Sequence, residues 1–307
     1  MRKAGRYLLA ILALLLAVTG LLFAYIKHSM PDPNVHLEVV AAAPGVYWIK
    51  GGVSNMGFVV GRTSVIAIDA QFYEATAANS LAAIRKVTLS PVRHVVITHS
   101  DPDHVNGLPS FPWDVEVIAH PRTKSDMLAA LDDWKPNPAA PPEAMRRYLP
   151  TRAVPSRADL DIDGVHLAIM HIAPAHTDGD LIVYLPVQKA VFAGDILTPE
   201  IGAYPGIHLN KHGSSLGWIQ TVEALLKLDA NVFISGHGAS LTRAAVANRL
   251  AAAKQRRAQI AALVAEGRTL KQIRAVLHDT SLPGVAARFP TFAETTYAEL
   301  TSKISGD

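Results

Sequence analysis

Cysteine is absent from the 307 residues. That removes a disulfide framework, a thiolate metal ligand and a cysteine nucleophile at one stroke. Charge is scarce as well: the net value is +3, and several of the cations sit beside an N-terminal apolar segment. No basic stripe with interleaved aromatics occurs, so nothing marks a nucleic-acid surface. Gly and Pro, at 20 each, are too few for a disordered chain, and no tandem repeat recurs. Apolar residues are what the chain does have, 50% against 18% charged. That suffices for a substantial core, in one large domain or two small ones.

The longest apolar run is Leu8–Ile26, preceded by Arg2, Lys3 and Arg6. About nineteen residues at ~1.5 Å each span the hydrocarbon core of a bilayer. A polar face is missing throughout, which argues against a buried core helix. Phe23-Ala24-Tyr25-Ile26-Lys27 offers no small-x-small cleavage site. The run therefore reads as a transmembrane signal anchor before a cleaved signal peptide. With the basic flank held in the cytoplasm, the rest lies outside it, on the periplasmic side of a Gram-negative cell. The expected division is 1–28 as anchor or signal peptide, 29–36 as spacer and 37–307 as one domain, of which 240–307 is a helical C-terminal segment.

Chemistry concentrates in Val95–Gly107. Val95-Val96-Ile97-Thr98 reads as a buried strand, and it runs straight into His99, Asp101, Asp103 and His104. A turn needs Asp, Pro and Gly, but it does not need two histidines. The cluster points to a metal. Other candidates come after apolar runs: His176 in Ala175-His176-Thr177-Asp178-Gly179-Asp180, Asp195 in Phe192-Ala193-Gly194-Asp195, and His237 in Ser235-Gly236-His237-Gly238. His94, His120, His166 and His171 lie in or beside strand patterns and read as packed or edge residues.

His99, Asp103 and His104 resemble the H-x-H-x-D-H signature of the metallo-β-lactamase superfamily, with Asp101 where the second His is expected. Asn55, Val65-Ile66-Ala67-Ile68-Asp69 and the three later motifs resemble the family's remaining segments, in order, over about Glu38 to Leu250. The resemblance implies an α/β fold: two sheets face to face with helices outside each, a four-layer αββα sandwich preceded here by the membrane helix. It also implies two divalent ions, zinc foremost. His99, His176 and Asp101 would hold one ion, and Asp103, His104 and His237 the other, with Asp195 bridging. The absence of cysteine excludes lactamase subclasses that use a Cys ligand.

The activity this implies is hydrolysis by a metal-bound hydroxide, with Asp103 as ligand and proton shuttle. A carboxylate at Asp195 resembles glyoxalase II and lactonases more than β-lactamases, so a small-molecule ester, thioester or lactone is the expected substrate. The competing readings are a mononuclear iron oxidase or dioxygenase on the same fold, a β-lactamase, and a non-catalytic binding protein. Asp101 makes the site one unit less positive than the family pattern, which predicts weaker acidification of bound water. Its oxygen also tilts that position toward Mn²⁺ or Fe²⁺.

Around these motifs the periodicity predicts strands at Leu37–Val40, Val46–Ile49, Gly57–Val60, Val65–Ile68, Val115–Ala119, Val165–Ile172, Leu181–Leu185, Lys189–Ala193 and Val232–Ile234. Helices are predicted over Tyr73–Val87, Pro121–Trp134, from Ser214 onward, over Thr242–Glu266 and over Thr269–Leu277. Asp69 either caps the segment after it or orients the metal loop. Lys135–Pro142 is a loop, beside the site's mouth or merely on the surface. Pro199–Gly213 is irregular and offers Tyr204, His208, Lys211 and His212. Lys211 and His212 would grip a substrate carboxylate or an oxyanion; a solvated pair is the competing reading. Arg249, Lys254, Arg256 and Arg257 read as a solvated helix face.

Overall fold

Every residue of the strand Val65–Ile68 is buried, and the two sides of the strand belong to different cores. Val65 and Ala67 pack with helices, while Ile66 and Ile68 pack against a second sheet. Successive side chains point to opposite faces, so a strand apolar on both faces must be covered on both. Four layers result.

The computed structural model describes residues 19–20, 35–132, 142–198, 204–280 and 290–302. The first sheet runs β1 (Glu38–Ala43), β2 (Val46–Lys50), β3 (Met56–Val60), β4 (Val65–Ile68), β5 (Val92–Val96), β6 (Glu116–Ala119) and β7 (Arg152–Ala153), neighbours in that order. It is antiparallel up to β4 and parallel from there on. The second sheet runs β8 (Arg157–Ile162), β9 (Val165–Met170), β10 (Ile182–Leu185), β11 (Ala190–Phe192) and β12 (Val232–Ile234). Its last pair is parallel and the others are antiparallel.

Outside the first sheet lie α1 (Glu74–Val87), the short α2 (Pro102–Val105), α3 (Pro121–Asp132) and α4 (Pro142–Arg146). Ala77, Ile84, Met127 and Leu131 pack there on Phe58, Val65 and Val117. Outside the second lie α5 (Ser215–Leu225), α6 (Arg243–Ala265), α7 (Leu270–Val276) and α8 (Phe292–Ser302). Trp218, Val222, Val246 and Leu250 cover Ile182, Val191 and Phe233. Each such fully buried side chain contributes roughly 1.5–3 kcal/mol. Between the sheets, Phe192 lies so close to Gly57 that a Cβ there would meet its ring at 2.2 Å. The expected αββα sandwich is therefore observed.

Several boundaries differ from expectation. The strand expected over Val95–Thr98 pairs over Val92–Val96 instead. Thr98 N–H leaves the ladder and donates to Asp69 Oδ1, so pairing stops where the site begins. β7, β8 and α4 were not foreseen, while α8 falls within the helical segment expected over 240–307, without bounds of its own. The helix expected over Leu8–Ile26 lies outside the described residues, Thr19 and Gly20 excepted; among the described residues no helix is long and apolar enough to cross a membrane. Residues 135–141 of the proline-rich loop and 199–203 also lie outside them.

Candidate metal centre

All the chemistry-bearing loops leave strand ends on one side of the sandwich. Asp69 comes after β4, His99–His104 after β5, His176 between β9 and β10, Asp195 after β11 and His237 after β12. Local turns then aim each side chain. Asp69 adopts a left-handed backbone, φ 62°, strained for a residue with a Cβ. Its carboxylate accepts from Thr98 N at 2.8 Å, Thr98 Oγ1 at 2.9 Å and His104 Nδ1 at 2.9 Å. Asp69 thus orients the metal loop and does more than cap. Asn55 Nδ2 donates to Ser235 O and Gly238 O, both at 2.9 Å, which pins the loop bearing His237. Asp180 accepts from Thr177 N and Oγ1 and shapes the loop bearing His176. Gly236 is required by close approach, because a Cβ there would lie 1.9 Å from Asp195 Oδ1.

The four histidines share one orientation. His104 Nδ1 donates to Asp69, His176 Nδ1 to Gly206 O at 2.9 Å and His237 Nδ1 to Val53 O at 2.8 Å. His99 Nδ1 donates to Thr98 Oγ1 at 3.0 Å, since that hydroxyl gives its own proton to Asp69. Every Nε2 is left pointing inward, toward the carboxylates of the cluster. Asp195 lies within 3.9 Å of all four: 3.3 Å from His104, 3.2 Å from His237 and 3.9 Å from both His99 and His176. Asp103 Oδ2 is 3.1 Å from His237 Nε2.

The donors form two groups that could each hold an ion, His99, Asp101, His176 and Asp195 in one and Asp103, His104 and His237 in the other. His99 Nε2, His104 Nε2 and Asp195 Oδ1 are buried without a hydrogen-bond partner. Orphaned polar atoms at this depth are costly unless something else satisfies them. A divalent cation suits neutral imidazoles and carboxylates that converge in this way. Crowding carboxylates against imidazoles also distorts their ordinary titration. Burial raises the Asp195 carboxyl, but the charges of His237 and His104 outweigh it and hold it well below the usual range. Burial lowers His176 and His237, yet Asp101 pushes the first up to about 9, and Asp195 with Asp103 pushes the second up to about 10.

Asp101 sits at the centre of a denser arrangement than the sequence suggested. Lys211 Nζ donates to its Oδ1 at 2.6 Å and to Ser100 Oγ at 3.0 Å. Its Oδ2 lies 2.9 Å from His208 Nε2, 3.2 Å from His176 Nε2 and 3.6 Å from His99 Nε2. Burial opposes its ionisation, but hydrogen bonds from His176 and His208 prevail and keep it a carboxylate. Lys211 is therefore engaged by the site itself. His212 is exposed on a left-handed turn, outside the described lining of the pocket over the cluster. His208, another of the four candidates in that loop, enters the cluster beside Lys211.

A pocket of about 340 Å³ opens over Asp101, Asp103, His176, Asp195 and His237. Its remaining wall includes Tyr204, Arg256, the 278–280 segment and Phe292. The solvated face expected on α6 is thus corrected at three positions. Arg249 donates to Thr198 O, Arg257 reaches Ser215 and Glu299, and Arg256 faces the pocket; Lys254 pairs at the surface with Glu223. An alanine-rich helix carries too weak a pattern to separate a solvated arginine from one whose head reaches a neighbouring element.

Comparison with known proteins agrees with this geometry. The family described as the metallo-beta-lactamase superfamily matches residues 49–237. The chain is 24% identical over 216 residues to 2,4-dinitroanisole O-demethylase subunit alpha of Nocardioides sp., covering 69% of this chain and 60% of that protein. It is 22% identical over 194 residues to a linear primary-alkylsulfatase of Pseudomonas sp., covering 52% and 36%. It thus spans less than two thirds of the length of either relative. Among solved structures, a metallo-beta-lactamase from Pontibacter korlensis superposes with a TM-score of 0.59 at 19% identity, over 71% of this chain and 99% of that one. The sec-alkylsulfatase Pisa1 from Pseudomonas sp. gives 0.62 at 19% identity, over 87% and 50%. These likenesses are likenesses of fold.

Proposed function

The chain belongs to the metallo-beta-lactamase superfamily, and on that premise we propose that it is a metal-dependent hydrolase of a small-molecule ester, thioester or lactone. One observation carries the reading: four imidazoles, each fixed through Nδ1, turn their Nε2 atoms toward the single carboxylate of Asp195. The ligands are His99, Asp101 and His176 for one ion and Asp103, His104 and His237 for a second, with Asp195 shared. Zinc is the ion expected at both positions, with Mn²⁺ or Fe²⁺ competing at the one that contains Asp101.

Bound divalent ions supply Lewis acidity and acidify water at neutral pH. The chain's own residues do the rest. Burial raises the Asp103 carboxyl, but His104 and His237 outweigh it, so it stands unprotonated and able to accept a proton beside His237. Lys211 fixes Asp101 by one oxygen and leaves the other facing His99 and His176. The pocket above these groups seats the substrate. The name of the alkylsulfatase relative adds sulfate esters to the candidates.

A panel of carboxylic esters, thioesters, lactones, sulfate esters and β-lactams tests the reading. Chelation should abolish turnover, and Zn²⁺ or Mn²⁺ should restore it. His176→Ala and His237→Ala should lose bound metal and activity together. Full turnover by a metal-free preparation would sink the proposal.

A further inference from the structure

The wall of the pocket away from the metal cluster contains a cation with no assigned task. Arg256, on α6, is the one arginine or lysine among the described residues lining the pocket. Its guanidinium lies over the Tyr204 ring at 4.5 Å, and Tyr204 stacks in turn on Phe292 at 5.7 Å between centroids. Nη1 donates to Leu277 O at 3.0 Å. The opposite edge, Nε with Nη2, has no hydrogen bond among the described residues, and Nε is buried. Among those residues no carboxylate forms an ion pair with Arg256. Asp279 also lines the pocket, but it accepts from Thr291 Oγ1 at 2.6 Å and has Arg274 Nε at 3.6 Å, so its charge is already answered.

A guanidinium held only to close α7 would need one N–H and would gain nothing from a buried, unpaired Nε, which costs free energy. The Nε–Nη2 edge is the fork that matches two oxygens of a carboxylate, sulfonate or phosphate. The aromatic stack under it holds the fork's plane fixed while leaving that edge unused. We propose that Arg256, with Tyr204 beneath it, forms an anion subsite, and that preferred substrates carry an oxyanionic group at the end remote from the cleaved bond. The subsite rests on the hydrolase reading only for where the cleaved bond lies; its affinity for an anion stands apart from it.

Two measurements separate the two ideas. Hexanesulfonate, a poor metal ligand, is titrated calorimetrically into the metal-loaded full chain, with hexanol as the uncharged control. Wild type should bind the sulfonate, Arg256→Gln should bind it about tenfold or more weakly, and Arg256→Lys should fall between them, since one charged hydrogen bond is worth more than ~1.4 kcal/mol. In parallel, kcat/KM is compared for mono-para-nitrophenyl glutarate and para-nitrophenyl pentanoate. The preference for the acidic ester should drop about tenfold or more in Arg256→Gln and be partly rescued by Lys. Sulfonate binding with no turnover of either ester would keep the subsite and defeat this ester class. Sulfonate binding no tighter than hexanol, or equal loss on both esters with unchanged sulfonate affinity, would overturn the subsite.

Discussion

Asp101 stands where an imidazole is expected, and Lys211, far away in sequence, answers it. An aspartate alone would make the centre one unit more negative. With Lys211 Nζ at 2.6 Å from Oδ1, the pair is neutral, as an imidazole is. The predicted weaker acidification of bound water thereby loses its premise. A different outcome is now expected on substitution. Asp101→His keeps Lys211 and places an uncompensated ammonium beside the cations, so metal retained after dialysis against a weak chelator should fall. Asp101→His with Lys211→Met should recover it. Lys211→Met alone should retain metal more tightly. In metal-free protein it should cost roughly 2–3 kcal/mol, below the ~3–5 for a wholly buried pair, because Lys211 stays partly exposed. Equal retention by wild type and all three variants would dismiss the pair. The cluster His99–His104 was legible because its members are neighbours in sequence. The partner of Asp101 was not: four polar candidates share one irregular loop, and nothing short of the fold says which of them reach it.

The two sheets are also tied at the end of the sandwich away from the metal centre, where β4 begins. Asp163, in the β8–β9 turn, accepts from Thr63 N and Ser64 N at 2.6 Å each, and from Ser64 Oγ at 2.9 Å, in the turn between β3 and β4. The Thr63 amide leads the groups that hold its carboxyl down to about 2. A lowered carboxylate stabilises the fold fully above its unfolded value near 3.8 and ceases to do so as pH falls through about 2. Asp163→Asn should therefore melt below wild type by a constant margin from pH 5 to 8, and the gap should close between about pH 4 and 2. Turnover per folded molecule should not change; a margin independent of pH down to 2 would reject the role. Strands such as β4 were legible because unbroken β-branched runs announce burial on both faces. β8 escaped notice because Arg157, Asp159 and Asp161 alternate with Ala158, Leu160 and Ile162, so its charged face hides a half-buried strand. α8 was expected only as part of a helical C-terminal segment; its docking depends on Glu299 accepting from Ser215 and facing Arg257, contacts no local pattern encodes.

At the scale of the whole molecule, we propose from the Leu8–Ile26 run that the protein sits on the extracytoplasmic face of a membrane with its anchor retained. Alkaline phosphatase fused to the C-terminus should be active, and the protein should fractionate with membranes. An inactive reporter would reject export, and a mature N-terminus near His28 would replace the anchor by a cleaved signal. The domain draws the groups that could hold metal from four separate loops, each waiting on the pairing of different strands. Such long-range pairings complete late, since each must first close a long stretch of chain. The consequence is kinetic. Ions held by His99, His176 and Asp195, or by Asp103, His104 and His237, would recognise the finished fold and little that precedes it, and so would leave the climb to the native state almost untouched. Their weight would fall on the reverse path as a latch: a loaded protein would open slowly, and losing the ions would be the event that sets its lifetime.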